Sequence, residues 1–316
     1  MRILTHRRRV AYTEIRLVLM WVWLMVAAPG YALTNGLALT PPMGWNSWNK
    51  FHCNIDEGLI REVADAMVTN GMRAAGYTYI NIDDCWQTSR GADGVIVADA
   101  RRFPSGIPAL VDYVHARGLK LGLYSCRGTL TCQRAPGSYG YEEIDAATYA
   151  GWGVDYLKYD NCHEAPGSDM RHDYEAMGAA LQRGGRPIVY SICAWEFQPW
   201  MPGCGNLWRT TGDIVDQFDN MSSKLDLNDR YARLAGPGRW NDPDMLEVGN
   251  GGMTETEYRA HFSLWCIVAA PLIAGNDVRH MTEATRAILT NPEAIAVNQD
   301  AAGVQGTRVS RAAGDG

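Results

Sequence analysis

Carboxylates and indoles placed just past short apolar runs are the residues of this chain best suited to chemistry. Asp83-Asp84 follows the run that ends at Ile82, Asp160 follows Tyr156-Leu157-Lys158-Tyr159, Asp213 follows Trp208-Arg209-Thr210-Thr211, and Asp242 and Asp244 follow Trp240-Asn241. Trp45 and Trp48 close the first run, Trp86 lies beyond the second and Trp195 beyond the fifth. Carboxylates accept hydrogen bonds from sugar hydroxyls, and an indole covers the C–H face of a pyranose. Hydrolysing a glycosidic bond takes two carboxyl groups in different protonation states, one supplying a proton and the other stabilising the cationic transition state. A lone aspartate after a strand is as often a helix N-cap or a turn residue, so the weight lies in several such ends converging. Trp152 and Trp265 fall in helical patterns and are expected in the core.

Convergence requires a scaffold. Apolar, β-rich runs at residues 43–45, 77–82, 119–125, 154–159, 188–193, 207–210, 239–240 and 272–274 alternate with amphipathic, helix-length stretches at 57–75, 107–117, 142–151, 170–182, 222–234, 255–267 and 283–289. That is the pattern of βα units and a parallel sheet. Glycine ends several helices immediately before a strand, as at Gly76, Gly118 and Gly153. The fold class expected is α/β, a (β/α)8 TIM barrel, which typically takes about 250 residues and carries its site at the C-terminal strand ends. The competing arrangement, a doubly wound open sheet, lacks support because no strand leads into a GxGxxG loop. Lys158 and Asp160 share strand parity and point the same way. A cation there keeps the carboxylate ionised and hydrogen-bonds a sugar hydroxyl, a role preferred over a Schiff base.

The 316 residues are 47% hydrophobic and 20% charged with a formal net charge of −6, which argues against nucleic acid as a partner. Arginines at 7–9 and 16 precede an apolar run at 17–28 and small residues to Ala32. This is the layout of a secretory signal, too short to span a membrane. Residues 1–32 are therefore expected to be a signal peptide, and the mature protein to be secreted or periplasmic without stable membrane insertion. Eight cysteines suit a few disulfides in an exported chain. Clustered aspartates also hold Mg²⁺ or Zn²⁺ in barrel hydrolases, but the seven histidines show no HxH or HExxH spacing. No metal and no cofactor is expected.

The chain resembles the α-galactosidase and α-N-acetylgalactosaminidase family, glycoside hydrolase family 27. The matching strings are Gly36-Leu37-Ala38, Pro41-Pro42-Met43-Gly44-Trp45-Asn46-Ser47-Trp48, Asn81-Ile82-Asp83-Asp84-Cys85-Trp86 and Gly122-Leu123-Tyr124. Further along come Gly153-Val154-Asp155-Tyr156-Leu157-Lys158-Tyr159-Asp160-Asn161-Cys162, Trp208-Arg209-Thr210-Thr211-Gly212-Asp213 and Gly236-Pro237-Gly238-Arg239-Trp240-Asn241-Asp242-Pro243-Asp244-Met245. The resemblance implies an α-galactoside substrate, with Asp160 as nucleophile and Asp213 as general acid/base of a retaining double displacement. Retention sets the two carboxyl groups about 5 to 5.5 Å apart. It also implies that Asp83 and Asp84 bind the 4- and 6-hydroxyls of galactose and that Lys158 and Arg209 bind ring hydroxyls near the nucleophile. Trp48, Tyr124, Asp244 and Met245 line the pocket. By the same resemblance Cys53 pairs with Cys85, Cys132 with Cys162 and Cys193 with Cys204, leaving Cys126 and Cys266 as thiols.

Two departures from the family pattern stand out. Many α-galactosidases carry a glutamate after the position of Cys193 that helps bind the 2-hydroxyl, whereas here Ala194 is followed by Trp195-Glu196-Phe197. An N-acetylated sugar, hence α-N-acetylgalactosaminidase activity, is the alternative that this opens, and a non-catalytic sugar-binding barrel is another. Family members also continue into an antiparallel C-terminal β domain. Residues 33–300 are expected to form the catalytic barrel and 301–316 the start of that domain, absent or truncated here, with 304–310 as its first strand.

Overall fold

Apolar residues inside short β-rich runs and the polar residues that cap the intervening helices together dictate the architecture. The computed structural model describes residues 35–310; the signal segment expected at 1–32 lies outside them. The strands are β1 (Met43–Asn46), β2 (Tyr79–Asn81), β3 (Gln87–Arg90), β4 (Ile96–Ala98), β5 (Lys120–Cys126), β6 (Tyr156–Asp160), β7 (Val189–Cys193), β8 (Leu207–Arg209), β9 (Trp240–Asp242) and β10 (Leu272–Ala274). The helices are α1 (Trp48–Phe51), α2 (Glu57–Thr69), α3 (Met72–Ala75), α4 (Gly106–His115), α5 (Glu142–Trp152), α6 (Met170–Arg183), α7 (Phe218–Asp229), α8 (Glu255–Ile267), α9 (Glu283–Leu289) and α10 (Pro292–Asn298).

Eight strands form one parallel sheet in the order β10-β1-β2-β5-β6-β7-β8-β9. All eight expected barrel strands are present, and the fold is the (β/α)8 barrel. The seam between β9 and β10 rests on a single parallel bridge, Leu246 to Ala274, in which Leu246 N–H donates to Ile273 C=O and Gly275 N–H to Leu246 C=O. Between β2 and α4 the chain makes a small antiparallel hairpin, β3–β4, which the polar sequence Ser89-Arg90-Gly91-Ala92-Asp93-Gly94 does not announce. Arg90 clamps this hairpin to α5 through both oxygens of buried Asp145, at 2.6 and 2.7 Å.

The inner face of the barrel changes chemistry along the strands. Tyr79, Tyr156, Val189, Leu207 and Trp240 form an apolar cluster at the N-terminal end. Two residues further on stand Asn81, Lys158, Ser191, Arg209 and Asp242, and two beyond several of these come Asp83, Asp160, Cys193 and Asp244, as the period of two requires. Glycines make room for the tyrosines: a Cβ at Gly44 would lie 2.5 Å from Tyr79 C=O, and one at Gly122 would lie 2.0 Å from Asn81 Oδ1 and 3.0 Å from Tyr156 Cβ. The outer faces of the strands pack against the helices in the main core, where Trp265 is buried and Trp152 packs against it. Side-chain caps fix helix starts, Asp56 on α2, Asp169 on α6 and a reciprocal Thr254–Glu257 box on α8.

Three expectations are corrected. The helix expected over 222–234 begins earlier, at Phe218, and ends at Asp229. Residues 304–310 form no strand, because they meet no ladder partner. They run instead as an arm beside α7 and α8: Gly306 N–H donates to Ile267 C=O, and buried Gln305 accepts from Asn241 Nδ2 at 2.8 Å. Finally, Cys53–Cys85 and Cys132–Cys162 are bonded, but Cys193 and Cys204 are separate thiols. Cys193 ends β7 on the pocket side, where Arg209 Nη1 approaches its sulfur at 3.6 Å, whereas the Cys204 thiol points to Tyr174 C=O of α6, at 3.3 Å. Cys126 and Cys266 are buried free thiols.

Candidate active site

The structure brings Asp160, Asp213, Trp48, Asp83, Asp84, Tyr124, Lys158, Arg209, Asp244 and Met245 together on one pocket of about 530 Å³ at the C-terminal strand ends. Asp160, the last residue of β6, is buried in the floor. Its Oδ2 accepts from Tyr124 Oη at 2.9 Å, and its Oδ1 accepts from Asn161 N–H at 2.8 Å. Burial pushes its carboxyl up to about 6, against the pull of Lys158 and these two donors. Asp213, four residues past β8, is the opposite kind of carboxylate, with a side chain 70% exposed and in contact with Arg209 Nη2 at 3.1 Å. A buried anion and an open carboxyl on separate strand ends are two environments of the kind that lets two acids play different parts.

The remaining polar groups are held by one another. Lys158 Nζ donates to Asp83 Oδ2 at 2.8 Å, and Asn46 Nδ2 donates to the same oxygen at 2.8 Å. Burial draws the Lys158 ammonium toward neutrality, but Asp83 first and Asp160 after it outweigh burial and hold it well above the ordinary lysine value. Asp84 accepts from Cys85 N–H and Gln133 N–H, and burial still raises its carboxyl. Arg209 is buried, and Asp244, Asp213 and Asp242 offset that burial and keep it charged; its Nη2 reaches Asp213 Oδ1 and Asp244 Oδ2, both at 3.1 Å. Asp242 lies lower in the barrel, and burial pushes it up to about 6. Three of the non-glycine residues in the left-handed region, Cys85 (φ 79°), Trp195 (φ 64°) and Asp244 (φ 88°), lie just past β2, β7 and β9. Strained backbone of this kind gathers at functional sites.

Not every indole past a strand faces the pocket. Trp48 and Trp195 line it. Trp45 and Trp86 are fully buried, their Nε1 groups donating to Asn276 C=O and Tyr124 C=O. In the β7 loop Trp195 lines the pocket; Ala194 is buried, and Phe197 turns away to stack on Tyr231 at 4.4 Å. The pocket also takes in Asn49, Glu247 and Asn250, which sequence reasoning missed. The one cluster with metal-ligand spacing among the described residues is Cys132, Cys162 and Asp160, and its two sulfurs form a disulfide.

A sequence-family model described as Alpha galactosidase A matches residues 40–300. The chain belongs to this family, glycoside hydrolase family 27. It is 57% identical over 284 residues to alpha-galactosidase 2 of Arabidopsis thaliana, an alignment covering 88% of this chain and 72% of that one. Among solved structures, alpha-galactosidase I of Mortierella vinacea superposes with a TM-score of 0.84 at 44% identity, covering 89% of this chain and 78% of its own. A Saccharomyces cerevisiae alpha-galactosidase with raffinose gives 0.82 at 37% identity, covering 90% and 69%. The chain spans 64% of the length of two Bacteroides fragilis structures that are 48% and 49% identical to it.

Proposed function

We propose that this barrel hydrolyses terminal α-linked D-galactose with retention of configuration, Asp160 attacking the anomeric carbon and Asp213 protonating the leaving oxygen. The observation that carries the reading is the pairing of buried Asp160, fixed by Tyr124 Oη and Asn161 N–H, with open Asp213 on Arg209. In the first half-reaction the C1–O bond breaks as Asp160 forms an ester to C1, and the proton of Asp213 goes to the departing oxygen. In the second, Asp213 takes a proton from water, which attacks C1 and frees Asp160. Asp83 and Asp84 accept from the hydroxyls at the closed end, Lys158 and Arg209 donate to those nearer C1, and Trp48 covers the C–H face. Trp195, rather than a β7-loop carboxylate, faces the sugar's remaining side. Relatives up to 57% identical are α-galactosidases, and raffinose in the yeast relative supports a galactosyl oligosaccharide as substrate. Export through the N-terminal signal completes the reading; among the described residues no helix is long and apolar enough to cross a membrane.

The test is release of nitrophenol from the α-galactoside and the α-N-acetylgalactosaminide, with NMR of the first sugar anomer released. Fast cleavage of the galactoside giving α-galactose first, unaffected by chelator, supports the assignment. Asp160→Asn abolishes turnover, and Asp213→Asn lowers the rate on a disaccharide roughly a hundredfold to ten-thousandfold. A preference for the acetylated sugar, or β-galactose as first product, overturns it.

A further inference from the structure

Glu247 has no part in the chemistry just described, yet it is a buried carboxylate on the pocket wall, 4% exposed. Its Oε1 accepts from Asn49 Nδ2 of α1 and its Oε2 from Asn250 Nδ2, both at 2.5 Å, and Asn250 Nδ2 also reaches Gly275 C=O past β10. The backbone leading into Glu247 is pinned from α8: Trp265 Nε1 donates to Asp244 C=O at 2.9 Å, and Glu247 N–H donates to His261 Nε2 at 3.1 Å. Among the described residues no cation is paired with the carboxyl, whose oxygens are held by the two amides. Burial, with Asp216 and Asp244 nearby, pushes it up to about 7, and burial holds His261 neutral; Lys50 and His52 stand elsewhere on the same pocket. A buried acid without a countercharge is destabilising in itself, and this one stands directly above the seam that a single backbone bridge holds closed.

We infer that Glu247 is a positioning residue: its carboxyl ties the loop after β9 to α1 across the barrel seam and so fixes Trp48 relative to Asp244 and Met245 in the sugar pocket. Asn49 is the residue next to Trp48, so the bond to Glu247 sets where α1 sits. The inference rests on the sugar-binding reading of the pocket and adds to it the group that keeps the two sides of the mouth at a fixed separation.

The experiment measures steady-state constants on 4-nitrophenyl α-galactoside and the inhibition constant of galactose for the full chain, Glu247→Leu and Glu247→Gln. Glu247→Leu raises KM and the galactose inhibition constant about tenfold while kcat changes less, because two half-buried amide donors lose their acceptor. Glu247→Gln restores both to within about threefold, since its oxygen still accepts from Asn49 Nδ2 and Asn250 Oδ1, which has no partner, can turn to accept from the new amide in exchange for the longer 3.3 Å bond to Gly275 C=O. Unchanged KM and galactose binding in Glu247→Leu, or glutamine performing no better than leucine, overturns the inference. Should Glu247→Leu fail to fold, Asn49→Ala removes one of the two ties with the carboxyl in place. Weaker galactose binding in that variant sustains the inference and unaltered binding overturns it. A wild-type chain that binds galactose without cleaving the galactoside defeats the proposed reaction instead, and galactose affinity still reads the role of Glu247.

Discussion

Asp160 sits under two opposing influences whose balance sets the acid limb of activity. Burial raises its carboxyl to about 6, while Lys158, Asn161 N–H and Tyr124 Oη favour the anion. The attacking form is the anion. As pH falls through about 6 the carboxyl gains a proton, and kcat/KM therefore falls on that side by about tenfold per pH unit. Tyr124→Phe deletes a donor to the charged form, so the proton binds more tightly and the limb moves upward by about one pH unit. A pH–rate profile checks the sign: a limb that stays in place or moves downward contradicts the role given to Tyr124. At this scale much of the site was legible, because Asp83, Asp160, Asp213 and Asp244 each follow a β-rich run. The same rule also flagged Trp45 and Trp86, which are buried. A tryptophan past a strand end signals an indole near the mouth, and only the fold decides whether it faces sugar or core.

Elements position these residues by being tied to one another at the mouth. The Cys132–Cys162 bond joins the loop after β5 to the loop after β6, with the Cys132 sulfur 3.5 Å from Asp160 Oδ2, and Cys53–Cys85 joins the loops after β1 and β2. Replacing Cys132 and Cys162 together by alanine destabilises the chain by about 3 kcal/mol, read as a lower thermal midpoint than wild type under oxidising conditions. Equal midpoints would mean that the cross-link adds nothing the barrel lacks. The hairpin β3–β4 depends on a buried bidentate pair, and Arg90→Ala, which leaves Asp145 with Ser138 Oγ as its remaining side-chain donor, costs about 3 kcal/mol in chemical denaturation. Neither the hairpin nor Glu247 could be read in advance. The hairpin is built from polar residues around a turn, and Glu247 follows a one-residue bridge that gives no period to detect. The third disulfide failed for a different reason: pairing by resemblance cannot see that Cys193 faces Arg209 while Cys204 faces α6.

Across the whole molecule, the alternation of β-rich and helical stretches was enough to forecast eight parallel strands, since each element repeats the same local pattern. The course of the chain after α10 was not, because it depends on partners far away in sequence. Gln305 closes a buried chain that runs from Trp208 Nε1 to Asn241 Oδ1 and from Asn241 Nδ2 to Gln305 Oε1. Gln305→Ala leaves the Asn241 amide with Tyr231 C=O as its remaining acceptor and lowers stability by about 1 kcal/mol, measurable by denaturant midpoint; no change would show that the arm rests passively on the barrel.

The climb of the inner face from Tyr156 through Lys158 to Asp160, repeated from Trp240 through Asp242 to Asp244, also acts as a gauge during folding. A strand that docked one residue out of register would turn its charges into the apolar layer under the helices. A slip of two would lower a carboxylate to the tier of Lys158 and Asp242 or, in the other direction, raise an aromatic ring to that tier. Misaligned barrels are thus penalised by the very side chains that are to bind and cleave the substrate, and a molecule of this sequence that has closed correctly has, by the same alignment, already assembled its pocket.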